Sequence, residues 1–413
     1  MTNAAREIML EFADRTGLSP ATHNPHRYLW TDAFAVCNFL SLYRLSGDEH
    51  FKALAIKLID QVHHVLGRHR DDDARSGWIS GLSAAEGEEH PTAGGLRIGK
   101  RFNERAIDDA FDEHLEWERD GQYFHYSTKW MHALCRAAIV FEEEEYCRWA
   151  VELAKATHAG FHTADFVARQ KRLHWKMSID LSYPLVAASS MHDPLDALVT
   201  YHEIEDCLRH FPELTWPYSL DTEITEAEAM IEVGRWETND ALGIGGLLFD
   251  ACRALQLAVR GRELLLTAKR LVIASLNSLE TYLRQNSLRV PAEFRLAFRE
   301  LGMTIGLRGV QTMMQIAEHH SALCSATLRE EINALGRHVV HAHTIEDFWR
   351  EPRNQRVRSW QDHHDINDVM LATSLLPDEF LAVASESGPG ARSMPPPAAG
   401  LDTGPRNTSA KPA

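Results

Sequence analysis

Three stretches of this chain spell out the same helical hairpin, and that repetition limits the possible folds more than any other feature. The segment RYLWTDAFAVCNFLSLYRL sets Phe34, Phe39, Leu42 and Leu45 at helical spacing and ends on Gly47, which suits a left-handed C-cap. A second periodic run follows at once, with Phe51, Leu54, Leu58, Ile59, Val62 and Val65. Two helices joined by so short a turn run antiparallel. The segments QYFHYSTKWMHALCRAAIVF and EEEEYCRWAVELAKATHAGF, from Gln122 to Phe161, repeat the unit at an offset of 95. Tyr28 then aligns with Tyr123, Phe39 with Leu134, Phe51 with Tyr146, Ala55 with Ala150 and Leu58 with Leu153. A third copy is clearest at its turn, where Gly261-Arg262-Glu263-Leu264-Leu265 matches Gly47-Asp48-Glu49-His50-Phe51 at an offset of 214. Its flanking helices are predicted over 242–259 and 263–283. One such hairpin cannot bury its apolar face alone, but stacked copies can.

Further periodic runs predict helices over 194–209, 225–233, 292–318, 327–338 and 366–375. No alternating strand of useful length is visible, so the predicted class is all-α. The chain divides into a helical lead-in over 1–26, a domain of hairpins over 27–384, and a tail over 385–413. The lead-in holds a helix from Ala4 to Arg15, ended by Gly17 and Pro20. The tail, SESGPGARSMPPPAAGLDTGPRNTSAKPA, is too poor in apolar residues to bury a core and is expected to be disordered.

The net charge of −16 lacks the basic face that a nucleic-acid binder needs, and it disfavours anionic membranes. No apolar run approaches the ~18 residues of a membrane span, and the N-terminal residues lack a signal-peptide core. Cys37, Cys135, Cys147, Cys207, Cys252 and Cys324 form no CxxC pair and read as reduced buried thiols of a cytoplasmic protein.

Two loops between hairpins are long, His69 to Gly121 and His162 to His192, and loops of that length are usually functional or disordered. The second leads into HWKMSIDLSYPLVAASSMHDPLDALVTY, His174 to Tyr201. There Trp175, Lys176, Ser178 and Asp180 precede an apolar run from Leu181 to Ala188. His192-Asp193-Pro194 follows and reads as a helix start, with Asp193 as its cap. Asp180 and Asp193 could form the acid and base of glycoside hydrolysis. The plainer alternative is that Asp193 only caps its helix and Asp180 pairs with Lys176 or an arginine.

Asp32 follows Trp30, and Asp240 follows Trp236 with Asn239 beside it. An indole ahead of an acid suits sugar binding, because the ring stacks on the sugar face while the acid accepts hydroxyl hydrogen bonds. A capping Asp with a core Trp is the competing reading. His125, Tyr126, Lys129, Trp130 and His132 crowd one helix start. His125, Lys129 and His132 share a face, either for acid–base work or for structure. Arg75 and Trp78 could grip a carboxylated sugar, although their mixed-charge surroundings also fit a solvated face.

Three tempting patterns are rejected. GGLRIGK, Gly94 to Lys100, has phosphate-loop spacing, but Arg101 stands where Ser or Thr would ligate magnesium. Asp108-Asp109-Ala110-Phe111-Asp112 lacks a second magnesium motif. The histidine pairs near residues 319, 341 and 363 lack metal-site spacing.

Repeated antiparallel hairpins with polar loops at one end resemble the six-hairpin glycosidase-like superfamily over roughly residues 25–376. RYLWTDAF, DGQYFHYSTKWMHAL and RWETNDALGIGGLL read like the starts of its inner helices. The resemblance implies an (α/α)6 toroid, six inner and six outer helices with a pocket at one mouth. Tyr126, Trp130 and His132-Ala133 are similar to the inner helix of the N-acylglucosamine 2-epimerase family, whose paired histidines and arginine are not placed in this sequence.

The expected activity is carbohydrate chemistry, first as a glycoside hydrolase with Asp180 and Asp193 catalytic. The substrate would lie against Trp30, Asp32, Arg75, Trp78, Trp175, Lys176, His192, Trp236 and Asp240, and against the group from His125 to Trp130. A sugar epimerase or isomerase working through His125 and His132 is the alternative. A non-catalytic glycan- or protein-binding toroid is the third reading. The expected partner is a small-molecule or oligosaccharide substrate, with no cofactor, metal, nucleic acid or membrane; the oligomeric state stays open.

Overall fold

The computed structural model describes residues 2–165, 170–186, 188–212, 219–231 and 235–383. The tail over 385–413 lies outside them. Along the chain come α1 (Thr2–Arg15), α2 (Leu29–Ser46), α3 (Glu49–Leu66), the short α4 (Ala84–Glu89) and α5 (Glu113–Glu118), α6 (Phe124–Phe141) and α7 (Glu144–Phe161). Then follow α8 (Asp193–His210), α9 (Asp221–Ile231), α10 (Ala241–Val259), α11 (Leu265–Arg284), α12 (Ala297–His319), α13 (Ala326–Gly336) and α14 (Val340–Arg350). The single turns α15 (Pro352–Gln355) and α16 (Arg358–Gln361) lead to α17 (His364–Leu375) and α18 (Asp378–Leu381).

Six of these helices close a ring in the order α2, α6, α8, α10, α12, α17 and back to α2. Each carries an outer partner: α3 on α2, α7 on α6, α9 on α8, α11 on α10, α13 and α14 on α12, and α1 on α17. The fold is the expected all-α toroid. The lead-in helix α1 packs on α17 as the outer partner of that last inner helix. Arg15 of α1 bonds Asp365 at 2.6 Å and Asp368 at 2.9 Å, at the start of α17.

The repeated turn explains the first two hairpins. Gly47 ends α2 in the left-handed conformation (φ 67°), and Asp48 then caps α3 by accepting from the His50 N–H. At the offset of 95, Glu142 takes the same conformation (φ 58°) without being glycine. The tightest contact between inner helices joins α10 and α12. A Cβ on Gly245 would lie 2.3 Å from the Gly302 carbonyl oxygen, so only glycine lets the two backbones touch.

Strands do occur, in the long loops. β1 (Gln122–Tyr123) pairs antiparallel with β4 (Lys176–Met177), which pairs with β5 (Pro184–Val186) across a bulge. β2 (His162–Asp165) and β3 (Gln170–Leu173) form a separate hairpin. The β1–β4 pairing ties the two long loops together and carries Trp175 to the start of α6. The sequence hides these strands because two to four residues show no alternation.

Among the described residues one helix, α10, is long and apolar enough to cross a membrane, contrary to the sequence reading. Of that stretch 72% is buried inside the protein, as an inner helix of a toroid requires. All six cysteines are free and buried.

The ring is not filled by aliphatic packing alone. Arg253 of α10 reaches Glu203 and Asp196 of α8, each at 2.8 Å, and Asp250 at 2.7 Å, while Lys129 of α6 bonds Asp196 at 2.6 Å. At the far end α18 inserts Phe380, stacked on Phe34 (4.2 Å) and Phe249 (4.5 Å). Glu379 beside it bonds Arg136 at 2.7 Å and Arg44 at 2.8 Å. One end of the toroid is therefore sealed by the chain itself.

Candidate functional site

The open end holds a cavity of about 970 Å³. Residues at or beside the N-termini of α2, α6, α10, α12 and α17 line it, among them Tyr28, Trp30 and Asp32, Tyr123, His125 and Tyr126, Asp240 and Leu242, Phe298 and Arg299, and His363 to Ile366. The first long loop adds Gly99, Lys100, Arg101, Trp117 and Glu118, the second adds Trp175, and α1 adds Arg15.

Aromatic rings make one wall. Tyr123 stacks on Trp175 (5.4 Å, 28° between planes) and on His125 (5.4 Å, 29°). Trp30 stands edge-on to His125 at 5.8 Å, and Trp117 edge-on to Trp175 at 5.3 Å. The hydroxyls of Tyr28 and Tyr126 share a hydrogen bond of 2.6 Å. Flat faces beside hydroxyl donors suit a ligand that is apolar on one side and polar at its edges.

Two buried acids stand at this wall. Asp32 accepts from Arg27 Nη1 at 3.2 Å and from the Tyr28 N–H at 2.9 Å. Burial outweighs both and pushes its carboxyl up to about 6. Asp193, 4% exposed, sits behind His125, with Oδ1 4.0 Å from His125 Nδ1. Neither Asp193 Oδ2 nor His125 Nδ1 has a hydrogen-bond partner. Burial pushes Asp193 up to about 7; a Ser190 hydrogen bond opposes this, Asp196 adds to it, and Lys129 opposes it. Burial, reinforced by Lys129, holds His125 down at about 3, so its ring is neutral at physiological pH. Asp193 does not cap α8. His192 stands at that position, and no side chain bonds the helix N-terminus.

Of the residues singled out from the sequence, Trp30, Asp32, His125, Tyr126, Trp175 and Asp240 meet at the cavity. Asp240 also caps α10, accepting from the Gly243 N–H at 2.9 Å, and binds Arg299. Asp193 joins them from behind His125.

The others are held elsewhere. Asp180 pairs with Arg75 at 2.9 Å and accepts from Ser178 at 2.8 Å. Burial would raise its carboxyl, but hydrogen bonds from Ser182 and Ser178, together with Arg75, hold it below the ordinary range. The expected pairing of Asp180 with Asp193 over one cavity is therefore corrected: neither is on its lining, and the charge of Asp180 is already matched by Arg75. Arg75 is engaged by Asp73, Glu104 and Asp180, and Trp78 is buried beneath Arg68. His132 lies in the sealed axis, between Glu203 (2.7 Å) and the Phe380 carbonyl (2.9 Å). Lys129 is paired with Asp196, and Lys176 with Glu116 at 2.8 Å. Trp130 donates to His63 in the core, and Trp236 packs beneath Arg270 while its carbonyl bonds His192 Nε2.

Sequence reasoning missed Tyr28, Tyr123, Trp117, Lys100, Arg101, Arg299 and the start of α17. Tyr28 and Tyr123 had a usable signal, since they match each other at the repeat offset and both sit one residue before an inner helix. Among the described residues no group of three or more His, Cys, Asp or Glu is placed to hold a metal ion.

Solved structures share this architecture. A GH76 α-mannanase of Bacteroides thetaiotaomicron superposes with a TM-score of 0.50 at 9% identity, over 92% of this chain and 96% of the other. This chain has the (α/α)6 toroid fold. A GH76 α-1,6-mannanase of Salegentibacter sp. HEL1_6, in an inactive variant bound to α-1,6-mannotriose, gives 0.49 at 9% identity, covering 92% and 99%. An unsaturated glucuronyl hydrolase specific for heparin gives 0.32 at 13%, covering 68% and 82%. No family model matches the chain, and no curated protein is significantly similar in sequence. At such identities the likeness is one of fold.

Proposed function

We propose that this toroid is a carbohydrate-active enzyme that hydrolyses a glycosidic bond in the mouth cavity. One observation carries the reading: an aromatic wall with two buried acids beside it, both lifted by burial above the ordinary carboxylate range. Asp193, raised to about 7 with no cation bonded to it, keeps its proton in mildly acidic solution. Asp32, raised to about 6 by burial, is bonded by Arg27 and the Tyr28 N–H, which favour its ionised form. That is the division of labour glycoside hydrolysis needs. Asp193 Oδ1 lies 4.0 Å from His125 Nδ1 and must close to hydrogen-bond distance to pass its proton to that nitrogen, as His125 releases one from its other nitrogen to the leaving oxygen. Asp32 takes the proton of the attacking water. The sugar ring lies against Trp30, Trp175 and Tyr123, and Asp240 accepts from its hydroxyls.

The test is release of reducing ends from a panel of oligosaccharides that includes α-1,6-mannotriose. Asp193→Asn and Asp32→Asn should each lower turnover at least 100-fold while the melting temperature moves by only a few degrees. Full activity in either variant would remove that residue from the chemistry. No release from any substrate would leave the hydrolase reading without support.

A second reading has its own observation. A neutral His125 backed by Asp193 is also a competent base for sugar epimerisation or isomerisation. Its expected partner His132 is sealed in the axis, so the second base would have to be Asp32. Deuterium incorporated into a free sugar in heavy water, without bond cleavage, would favour this reading over hydrolysis.

A further inference from the structure

The cavity's cations are not equivalent. Arg15 is bound by Asp365 and Asp368, and Arg299 by Asp240. Lys100 and Arg101 also line the cavity, yet neither forms an ion pair with a described carboxylate. Lys100 Nζ lies over the Tyr28 ring at 5.4 Å, and the Arg101 guanidinium over Phe102 at 5.1 Å.

The backbone that presents them is held firmly. Arg70 donates to the carbonyl oxygens of both residues, at 2.6 Å to Lys100 and 2.9 Å to Arg101. The Gly99 N–H donates to Asp120 Oδ1 at 3.0 Å, and Asp120 is fully buried and paired with Arg97. Gly99 has φ +92°, and a Cβ there would lie 2.2 Å from the Arg27 carbonyl oxygen, so the loop is pressed against the start of α2. A buried network thus fixes the loop, while its two cationic side chains remain uncommitted beside the aromatic wall. Glu118 and Asp362 line the same cavity without pairing to either cation.

We infer that the substrate is a sugar carrying an acidic group, a carboxylate or a phosphate, and that Lys100 and Arg101 receive that group. Arg binds planar oxyanions through two parallel N–H bonds, and Lys acts as a point charge beside it. This inference rests on the sugar reading of the same cavity and names the class of sugar. It moves the acid-recognising role from Arg75, whose guanidinium is fully engaged, to cations that are not.

The test is calorimetric titration of the full chain with methyl glycosides of gluco, manno and galacto configuration, their uronates and their 6-phosphates, with free phosphate and acetate as controls. The expected result is at least tenfold tighter binding of one acidic series than of its neutral counterparts, weakening with added salt. Which series wins identifies the acid as carboxylate or phosphate. In the double variant Lys100→Gln, Arg101→Gln, that preference should collapse to within twofold. Neutral and acidic sugars binding equally would overturn this inference while leaving the sugar reading intact. So would a preference that survives the double variant, or free phosphate or acetate binding as tightly as the acidic sugar. Failure of every sugar to bind would remove both readings together.

Discussion

Asp193 is the side chain on which pH should act most visibly. Its carboxyl rises from an ordinary 3.8 to about 7 on folding. The folded chain therefore keeps this proton after the unfolded chain has lost its own. Between about pH 4 and 7 stability falls as the unfolded state ionises first, and above 7 the penalty is complete. Asp193→Asn removes that penalty. It should raise the melting temperature at pH 8 by at least about 2 °C and leave it unchanged at pH 4, as followed by circular dichroism. An equal shift at both pH values would mean that Asp193 is not buried in its acid form. In catalysis the same two acids predict a narrow bell. Activity should rise as Asp32 ionises near pH 6 and fall as Asp193 loses its proton near pH 7. A flat profile from pH 5 to 8 would contradict those assignments.

Between helices the decisive features are turns and crossings. Glu142 sits left-handed where the first and third hairpins have Gly47 and Gly261, both at positive φ. Glu142→Gly should therefore stabilise the protein, by up to about 1 kcal/mol, because it relieves a conformation that costs any residue with a Cβ. Chemical denaturation measures this, and a clear loss of stability would argue that the α6–α7 turn is shaped by the Glu142 side chain. Gly245→Val should do the opposite. With the Gly302 carbonyl 2.3 Å from the new Cβ, α10 and α12 must separate, and the protein should lose several kcal/mol or fail to fold. A normal melt would mean that the crossing is looser than its geometry.

For the molecule as a whole, the ring depends on the first and last described helices. α1 completes the last hairpin on α17, and Phe380 of α18 fills the closed end between Phe34 and Phe249. Phe380→Ala should cost about 3–5 kcal/mol, as for other buried aromatics.

The architecture was legible in the sequence because hairpins repeat, and repetition survives when individual signals are weak. The N-terminal helix was read as a lead-in because closure of a ring joins residues about as far apart as Arg15 and Asp365, and no local pattern records that. The site was legible only at the starts of inner helices, where Trp30, Asp32, His125 and Asp240 stand. Asp180 misled because a carboxylate beside an apolar run looks the same whether it faces a cavity or an arginine in another loop. The loop from Gly99 to Arg101 was weighed only as a phosphate loop and rejected, because the cations' freedom depends on Arg70, about thirty residues away, holding their backbone.

The most direct check is a crystal structure of the Asp193→Asn variant soaked with an oligosaccharide that the wild-type protein cleaves. The account predicts a sugar ring stacked on Trp30 or Trp175, with its glycosidic oxygen within hydrogen-bond reach of His125. Sugar bound on the outer helices, or a ring in the cavity whose glycosidic bond is remote from both His125 and Asp32, would contradict it.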